Sequence, residues 1–100
     1  RSDAACVIEF KDLMYSATSK TKARVILNLE KVTFIDSSGL GAIVSSMKAL
    51  GHARKLNLCS LSTFVQNVFR LTRLDKIFYI FEDMDQALGK LKQPKIGLRK

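Results

Sequence analysis

Apolar positions along the chain change repeatedly between helical spacing and the patterns of β-strands. Spacing of three and four residues occurs in four segments, residues 4–17, 40–47, 64–72 and 84–91. Three short segments between them are rich in β-branched, aliphatic or aromatic residues, residues 24–29, 55–60 and 77–81. The predicted order is therefore helix, strand, helix, strand, helix, strand, helix. Strict alternation of this kind is typical of an α/β domain with a mostly parallel sheet.

Polar residues stand where several of these helices are expected to begin. Asp36 and Ser62 are good N-cap residues for the second and third helices, and Asp83 or Asp85 can open the last. Gly51 is suited to end the second helix. These positions agree with the apolar spacing, so they support the same order of elements.

Composition limits the possible classes of protein. The chain has 100 residues, of which 47% are apolar, and this favours one folded domain over a disordered chain. No window is apolar enough for a membrane span, and no signal peptide is visible, so we expect a cytoplasmic protein. Two cysteines, Cys6 and Cys59, and one histidine, His52, argue against a disulfide framework and a zinc site. We expect no cofactor and no metal, and both cysteines to be packing residues.

The net charge of +8 comes largely from the C-terminus. Residues 90–100 contain five cations and no acid. We divide the chain into a domain, 1–92, and a basic tail, 93–100. Such a tail can attract an anionic lipid or nucleic acid surface, or it can act only as a soluble end. No aromatic residues lie between its cations, so direct nucleic acid binding is not expected.

One stretch, residues 34–41, combines a strand exit with a helix start. Asp36 is the predicted cap, Ser37 and Ser38 fall in the first turn, and Gly39 and Gly41 leave that turn free of bulk. A phosphate at this position would be stabilised by the helix N-terminus. An ordinary helix cap is the alternative interpretation of the same residues.

Enzymatic interpretations of this stretch fail on spacing. A nucleophile elbow needs glycine two residues before the serine, but Asp36 stands two before Ser38 and Ile35 two before Ser37. His52 lies beyond the intervening helix, about 20 Å from Ser38 along its axis. The glycines match neither a dinucleotide fingerprint nor a phosphate-binding Walker loop. We therefore expect a protein that is not an enzyme.

The signature of STAS domains closely resembles the hexapeptide Asp36-Ser37-Ser38-Gly39-Leu40-Gly41 of this chain. More narrowly, the stretch looks like that of bacterial anti-sigma factor antagonists. The similarity extends over residues 25–35, 56–69, 74–78 and 84–91, and covers about residues 3–91. It implies a single α/β domain with a mostly parallel, mixed sheet and helices packed chiefly on one side.

The resemblance also implies a phosphorylation switch. Ser37 corresponds to the phosphate acceptor, and Ser38 is the alternative. The unmodified form would bind an anti-sigma factor that is also a GHKL-type serine kinase, and so release a sigma factor. Phosphorylation by that kinase would end binding, and a PPM-type phosphatase would restore it. The residues expected to bind the partner are Asp36, Ser37, Ser38, Gly39, Leu40, Gly41, Ser45 and Lys48.

The helix after the motif is expected to have two faces. Leu40, Ile43 and Met47 are interpreted as core residues. The opposite side, which is available to a partner, is expected to hold Ala42, Ser45, Ser46 and Lys48.

Two features depart from the family pattern. Asp3 already occupies the place of the residue that opens the first helix, so we expect the family's N-terminal strands to be missing. Segment 95–99 of the tail alternates and could supply an edge strand. The basic charge also leaves other functions open. These are a stressosome-like scaffold, a transporter-associated or lipid-transport subunit, and a basic module that binds membrane or nucleic acid. The paired serines favour the switch.

Overall fold

Four short strands form one parallel sheet in the computed structural model, which describes residues 5–13, 24–51 and 56–89. The strands are β1 (Ala5–Glu9), β2 (Arg24–Asn28), β3 (Asn57–Cys59) and β4 (Tyr79–Phe81). Their order in the sheet is the order in the chain, and each neighbouring pair is parallel. Leu58 lies between Leu27 and Ile80 in the register. The predicted α/β fold with a mostly parallel sheet is confirmed.

Three helices follow strands β2, β3 and β4. They are α1 (Ser37–Leu50), α2 (Thr63–Leu71) and α3 (Met84–Ala87), and 3-10 turns cover Phe10–Asp12 and Leu74–Lys76. Each helix begins at a predicted cap, since the side chains of Asp36, Ser62 and Asp83 each accept a backbone hydrogen bond. Helix α1 ends at Gly51, whose φ of 81° is readily adopted only by glycine.

The larger part of the hydrophobic core lies on one face of the sheet. Leu27, Leu58 and Ile80 point to this face and are fully buried. Helices α1 and α2 cover them with residues of the same cluster, namely Ile43, Leu50, Val65 and Phe69. Burying one such side chain stabilises a fold by about 1.5–3 kcal/mol, so this face dominates the stability of the domain.

The opposite face has a smaller cluster under the short helix α3. Ile26, Cys59 and Phe81 point to it, and Ala87 covers them. The helices are therefore packed chiefly on one side, as predicted. Cys59 is fully buried, and this burial raises the pKa of its thiol above the ordinary value of 9.0. The thiol is neutral at physiological pH, as expected of a packing residue.

The prediction of a helix over residues 4–17 is wrong for residues 5–12. Ala5–Glu9 is strand β1, paired with β2, and Phe10–Asp12 is a 3-10 turn. Cys6 is therefore a half-buried strand residue. The chain thus has a strand ahead of β2, where a helix was expected.

Smaller differences concern exposure. Strand β3 is buried throughout, although its sequence predicts half-burial. Phe64 and Thr72 belong to the predicted apolar stripe of α2 but are exposed, since Val65 and Phe69 face the core instead. Several predictions fall outside the described residues, namely those for Asp3, His52, the end of the last predicted helix at residues 90–91, and the tail 93–100 with its segment 95–99.

Candidate functional site

The motif lies where the chain passes from the carboxyl end of β2 to the start of α1. After Asn28 the chain turns, with the Val32 amide donating to the Leu29 carbonyl over 3.0 Å. Residues 32–36 then lead into α1 and belong to none of the helices and strands of the described chain. Carboxyl ends of parallel strands are where α/β sheets commonly place their binding residues. The fold thus puts the first turn of α1 at an edge where a partner can reach it.

Asp36 caps α1 with a single carboxylate oxygen. Its Oδ1 accepts the Gly39 amide at 3.0 Å and the Ser38 hydroxyl at 2.9 Å. These bonds favour the ionised carboxylate and lower the pKa of Asp36 below its ordinary value of 3.8, the Gly39 amide more than the Ser38 hydroxyl. Asp36 is exposed, so the site presents a fixed negative charge to solvent at neutral pH.

The two serines after this aspartate differ in what their hydroxyls do. Both are exposed in the first turn of α1. The Ser38 hydroxyl donates to Asp36, whereas the Ser37 hydroxyl makes no hydrogen bond to any part of the chain that the structure describes. Ser37 therefore presents an accessible oxygen that is not committed to the helix cap.

The two glycines of the motif also have different roles. A Cβ on Gly39 would lie 2.8 Å from Ile35 Cγ1 and 3.3 Å from Phe10 Cζ. A Cβ on Gly41 would meet nothing within 4 Å. Gly39 is thus required because the helix packs closely on the core, and only Gly41 lies on the open surface. The prediction that both glycines keep the turn open holds for Gly41 alone.

The remaining predicted partner-facing residues lie along α1. Ser45 and Lys48 are exposed, while Leu40 is half-buried against the core. Ser46 is a correction, since it is only 3% exposed and its hydroxyl donates to the Ala42 carbonyl over 2.8 Å. Ser46 therefore does not lie on a surface that a partner could contact.

An aromatic pair beside the motif was missed by the sequence interpretation. The rings of Phe34 and Phe64 stack with centroids 5.4 Å apart and planes 26° from parallel. Both rings remain well exposed, Phe34 at 67% and Phe64 at 46%. A sequence signal existed, because Phe34 alternates with the buried Ile35 in an extended segment. The pair joins the start of α2 to the segment that leads into α1.

Other kinds of site find no support in the described ranges. No helix there is long and apolar enough to cross a membrane. No group of three His, Cys, Asp or Glu side chains within those ranges could hold a metal ion.

The fold and the motif together define a parallel α/β domain with a serine-bearing helix start. The family model of the STAS domain matches residues 2–87, and this chain belongs to the STAS domain family. The resemblance in the hexapeptide is thereby confirmed.

Similar proteins agree with this assignment. The anti-sigma-B factor antagonist of Staphylococcus aureus (strain NCTC 8325 / PS 47) is 27% identical over 81 residues, which cover 80% of this chain and 75% of that protein. An anti-sigma-factor antagonist (STAS) domain protein from Planctomyces limnophilus has the same fold, with a TM-score of 0.70 and 22% identity over 79% of this chain and 69% of that one. A Thermotoga maritima structure matches with a TM-score of 0.65 and 23% identity over 89% of this chain and 82% of that one.

Proposed function

We propose that the unphosphorylated chain binds an anti-sigma factor of the GHKL serine-kinase type and so releases a sigma factor. Phosphorylation of Ser37 by that kinase ends the binding, and a PPM-type phosphatase restores it. The observation that carries the proposal is the exposed Ser37 hydroxyl, which is uncommitted within the described chain and follows the ionised Asp36. The name of the Staphylococcus aureus relative, an anti-sigma-B factor antagonist, supports an anti-sigma factor as the partner.

The electrostatics of the helix start suit a reversible phosphate. A phosphoserine adds a charge of about −1.5 to −2 at neutral pH. Because Ser37 is the first residue of α1, the helix dipole offsets part of this charge and the fold keeps its stability. The added charge beside Asp36 instead makes the local surface strongly negative. A partner that docks closely on this turn is then repelled and loses contact with the motif.

Ser37 is a better acceptor than Ser38 on structural grounds. The Ser38 hydroxyl oxygen lies 2.9 Å from Asp36 Oδ1 and donates its proton to it. A phosphate on that oxygen would remove the hydrogen bond and place a dianion against a carboxylate. Phosphorylation of Ser37 leaves the cap of α1 intact. On this proposal the chain is the substrate of a kinase and not itself an enzyme.

The decisive experiment reconstitutes the switch from purified parts. Each GHKL-type anti-sigma factor encoded in the source genome is mixed with the full chain, with and without ATP and magnesium. Calorimetry measures binding, and tandem mass spectrometry locates the phosphate. We expect one kinase to bind the unmodified chain, to modify Ser37 and then to dissociate.

Two variants serve as matched controls. Ser37→Ala is expected to bind without being phosphorylated, and Ser38→Ala is expected to be phosphorylated on Ser37. Binding by none of the kinases, or phosphate found on Ser38 alone, would show the proposal to be wrong.

A further inference from the structure

An exposed apolar strip begins beside the motif and continues along α2. It consists of Phe34, Phe64 and Leu71, which are 67%, 46% and 81% exposed. Phe34 stacks on Phe64, and Leu71 follows Phe64 by seven residues, so both lie on one face of α2. Exposed aromatic and aliphatic side chains that form a connected patch are typical of interaction surfaces.

The strip is continuous with the proposed phosphorylation site. Phe34 precedes Ser37 by three residues, so their Cα atoms are at most about 11 Å apart. Phe64 and Leu71 are two helical turns apart, about 10 Å along the axis of α2. One partner surface can therefore cover the strip and the first turn of α1 together.

The charges at the two ends of the strip differ in sign. Asp36 lies at the Phe34 end and is ionised. At the Leu71 end, Arg70, Arg73 and Lys76 are exposed, and residues 61–74 contain no acid. The next acid, Asp75, is half-buried. A partner that fits this surface needs an apolar centre with carboxylates placed to meet the arginines.

We propose that this strip is the docking surface for the anti-sigma factor kinase. An apolar patch of the kinase covers Phe34, Phe64 and Leu71, while its carboxylates pair with Arg70 and Arg73 and its active site receives Ser37. The inference rests on the proposed function, which it deepens by adding a second region of contact. Aromatic anchors inside a polar rim commonly carry most of the binding energy of such interfaces.

The test measures binding and phosphorylation with the kinase that binds the unmodified chain. Phe34→Ala and Leu71→Ala are the strip variants, and Leu88→Ala removes another exposed leucine, 45% exposed, which lies outside the strip and directly follows α3. We expect each strip variant to weaken binding at least tenfold and Leu88→Ala to change it less than twofold. The strip variants should raise KM for Ser37 phosphorylation and leave kcat unchanged, because docking and not chemistry is affected.

A charge reversal tests the other half of the surface. Arg70→Glu combined with Arg73→Glu is expected to slow association and to remove most of its dependence on salt. Urea unfolding of every variant verifies that the fold is kept, since the replaced side chains are exposed.

Each result bears on one conclusion. Strip variants that bind within twofold of the parent overturn the docking surface and leave the switch intact. If no kinase binds the parent chain, both proposals are wrong. If sedimentation shows a parent dimer that Leu71→Ala converts to monomer, the strip is a contact between copies of this chain, and the inference is overturned.

Discussion

The starts of α1 and α2 follow the same capping scheme but have different surroundings. Asp36 accepts the Gly39 amide at 3.0 Å, and the Ser62 hydroxyl accepts the Val65 amide at 3.2 Å. In both helices the amide of the third helical residue donates to the side chain of the N-cap residue. The first helical residue of each carries an exposed hydroxyl. Local sequence chemistry therefore does not distinguish the two helix starts.

The difference lies in the second and third helical residues. In α2 the third residue, Val65, is fully buried and anchors the helix through its own side chain. In α1 the same position is Gly39, which has no side chain, and Ile35 and Phe10 pack directly against its backbone. The second residue of α1, Ser38, donates to the Asp36 carboxylate and so holds it in place beside Ser37, whose hydroxyl has no partner in the described part of the chain. A phosphate on the first residue of α1 would therefore lie beside a carboxylate, whereas the capping side chain of α2 is a neutral hydroxyl.

The largest expected effect comes from a new negative charge on the first residue of α1, and the same charge on the first residue of α2 serves as the comparison. Ser37→Asp is expected to weaken kinase binding more than a hundredfold, which is about 2.7 kcal/mol, because the charge falls beside Asp36 at the centre of the proposed contact. Thr63→Asp lies only at the edge of the strip and should weaken binding less than tenfold. Calorimetry measures both affinities.

Stability provides the control for this pair. An acid in the first turn interacts favourably with the helix dipole, so neither variant should unfold more easily in urea. Equal losses of affinity at the two positions would mean that α1 has no special role.

The second comparison separates the two glycines of α1. Gly39→Ala is expected to lower the free energy of unfolding by about 1–3 kcal/mol, because the added methyl group overlaps the buried Ile35. Gly41→Ala should raise it by about 0.5–1 kcal/mol, because the position is open and alanine favours a helix. Urea titration measures both values, and a Gly39→Ala protein as stable as the parent would contradict the close packing.

The third comparison concerns committed and free hydroxyls. Ser62→Ala removes the oxygen that accepts the Val65 amide and should cost about 1 kcal/mol of stability. Ser37→Ala removes a hydroxyl that has no partner within the described chain and should change stability by less than about 0.5 kcal/mol. Thermal unfolding compares the two, and a larger loss for Ser37→Ala would reveal a structural role for its hydroxyl.

The sequence predicted those parts of the fold that depend on neighbouring residues. The caps Asp36, Ser62 and Asp83 act within three residues, and all three are found where capping chemistry places them. The prediction failed at strand β1 because the spacing of Cys6, Phe10 and Leu13 fits a helix. Only the pairing with β2 favours an extended chain there. That pairing joins segments far apart in sequence.

The site was predicted only in part for the same reason. The hexapeptide itself indicated Asp36 and Ser37. The inward packing of Gly39 involves Phe10, and the exposed aromatic pair needs Phe64 beside Phe34. Both contacts form between segments that no local pattern brings together.

The smallest expected effect is a pH dependence of stability that the Asp36 cap should show and the Ser62 cap should not. The pKa of Asp36 is lower in the folded chain than its ordinary value of 3.8, because the Gly39 amide and then the Ser38 hydroxyl stabilise the carboxylate. Above 3.8 the carboxylate is ionised in the folded and the unfolded chain, so the full contribution to stability is present. As pH falls below 3.8 and through the lower pKa of the folded chain, the unfolded chain takes up a proton before the folded chain does. The contribution of the Asp36 carboxylate to the stability of the fold is then lost.

Asp36→Asn isolates this charge, since asparagine also caps helices well. Above pH 3.8 the parent should unfold at a slightly higher temperature than Asp36→Asn, and the gap should close as pH falls below that value. The gap between the parent and Ser62→Ala should stay constant over the same range, because a hydroxyl cap does not titrate. If the Asp36→Asn gap is also constant, the carboxylate stabilises α1 only as a hydrogen-bond acceptor. The fixed negative charge beside Ser37 would then contribute to partner binding alone.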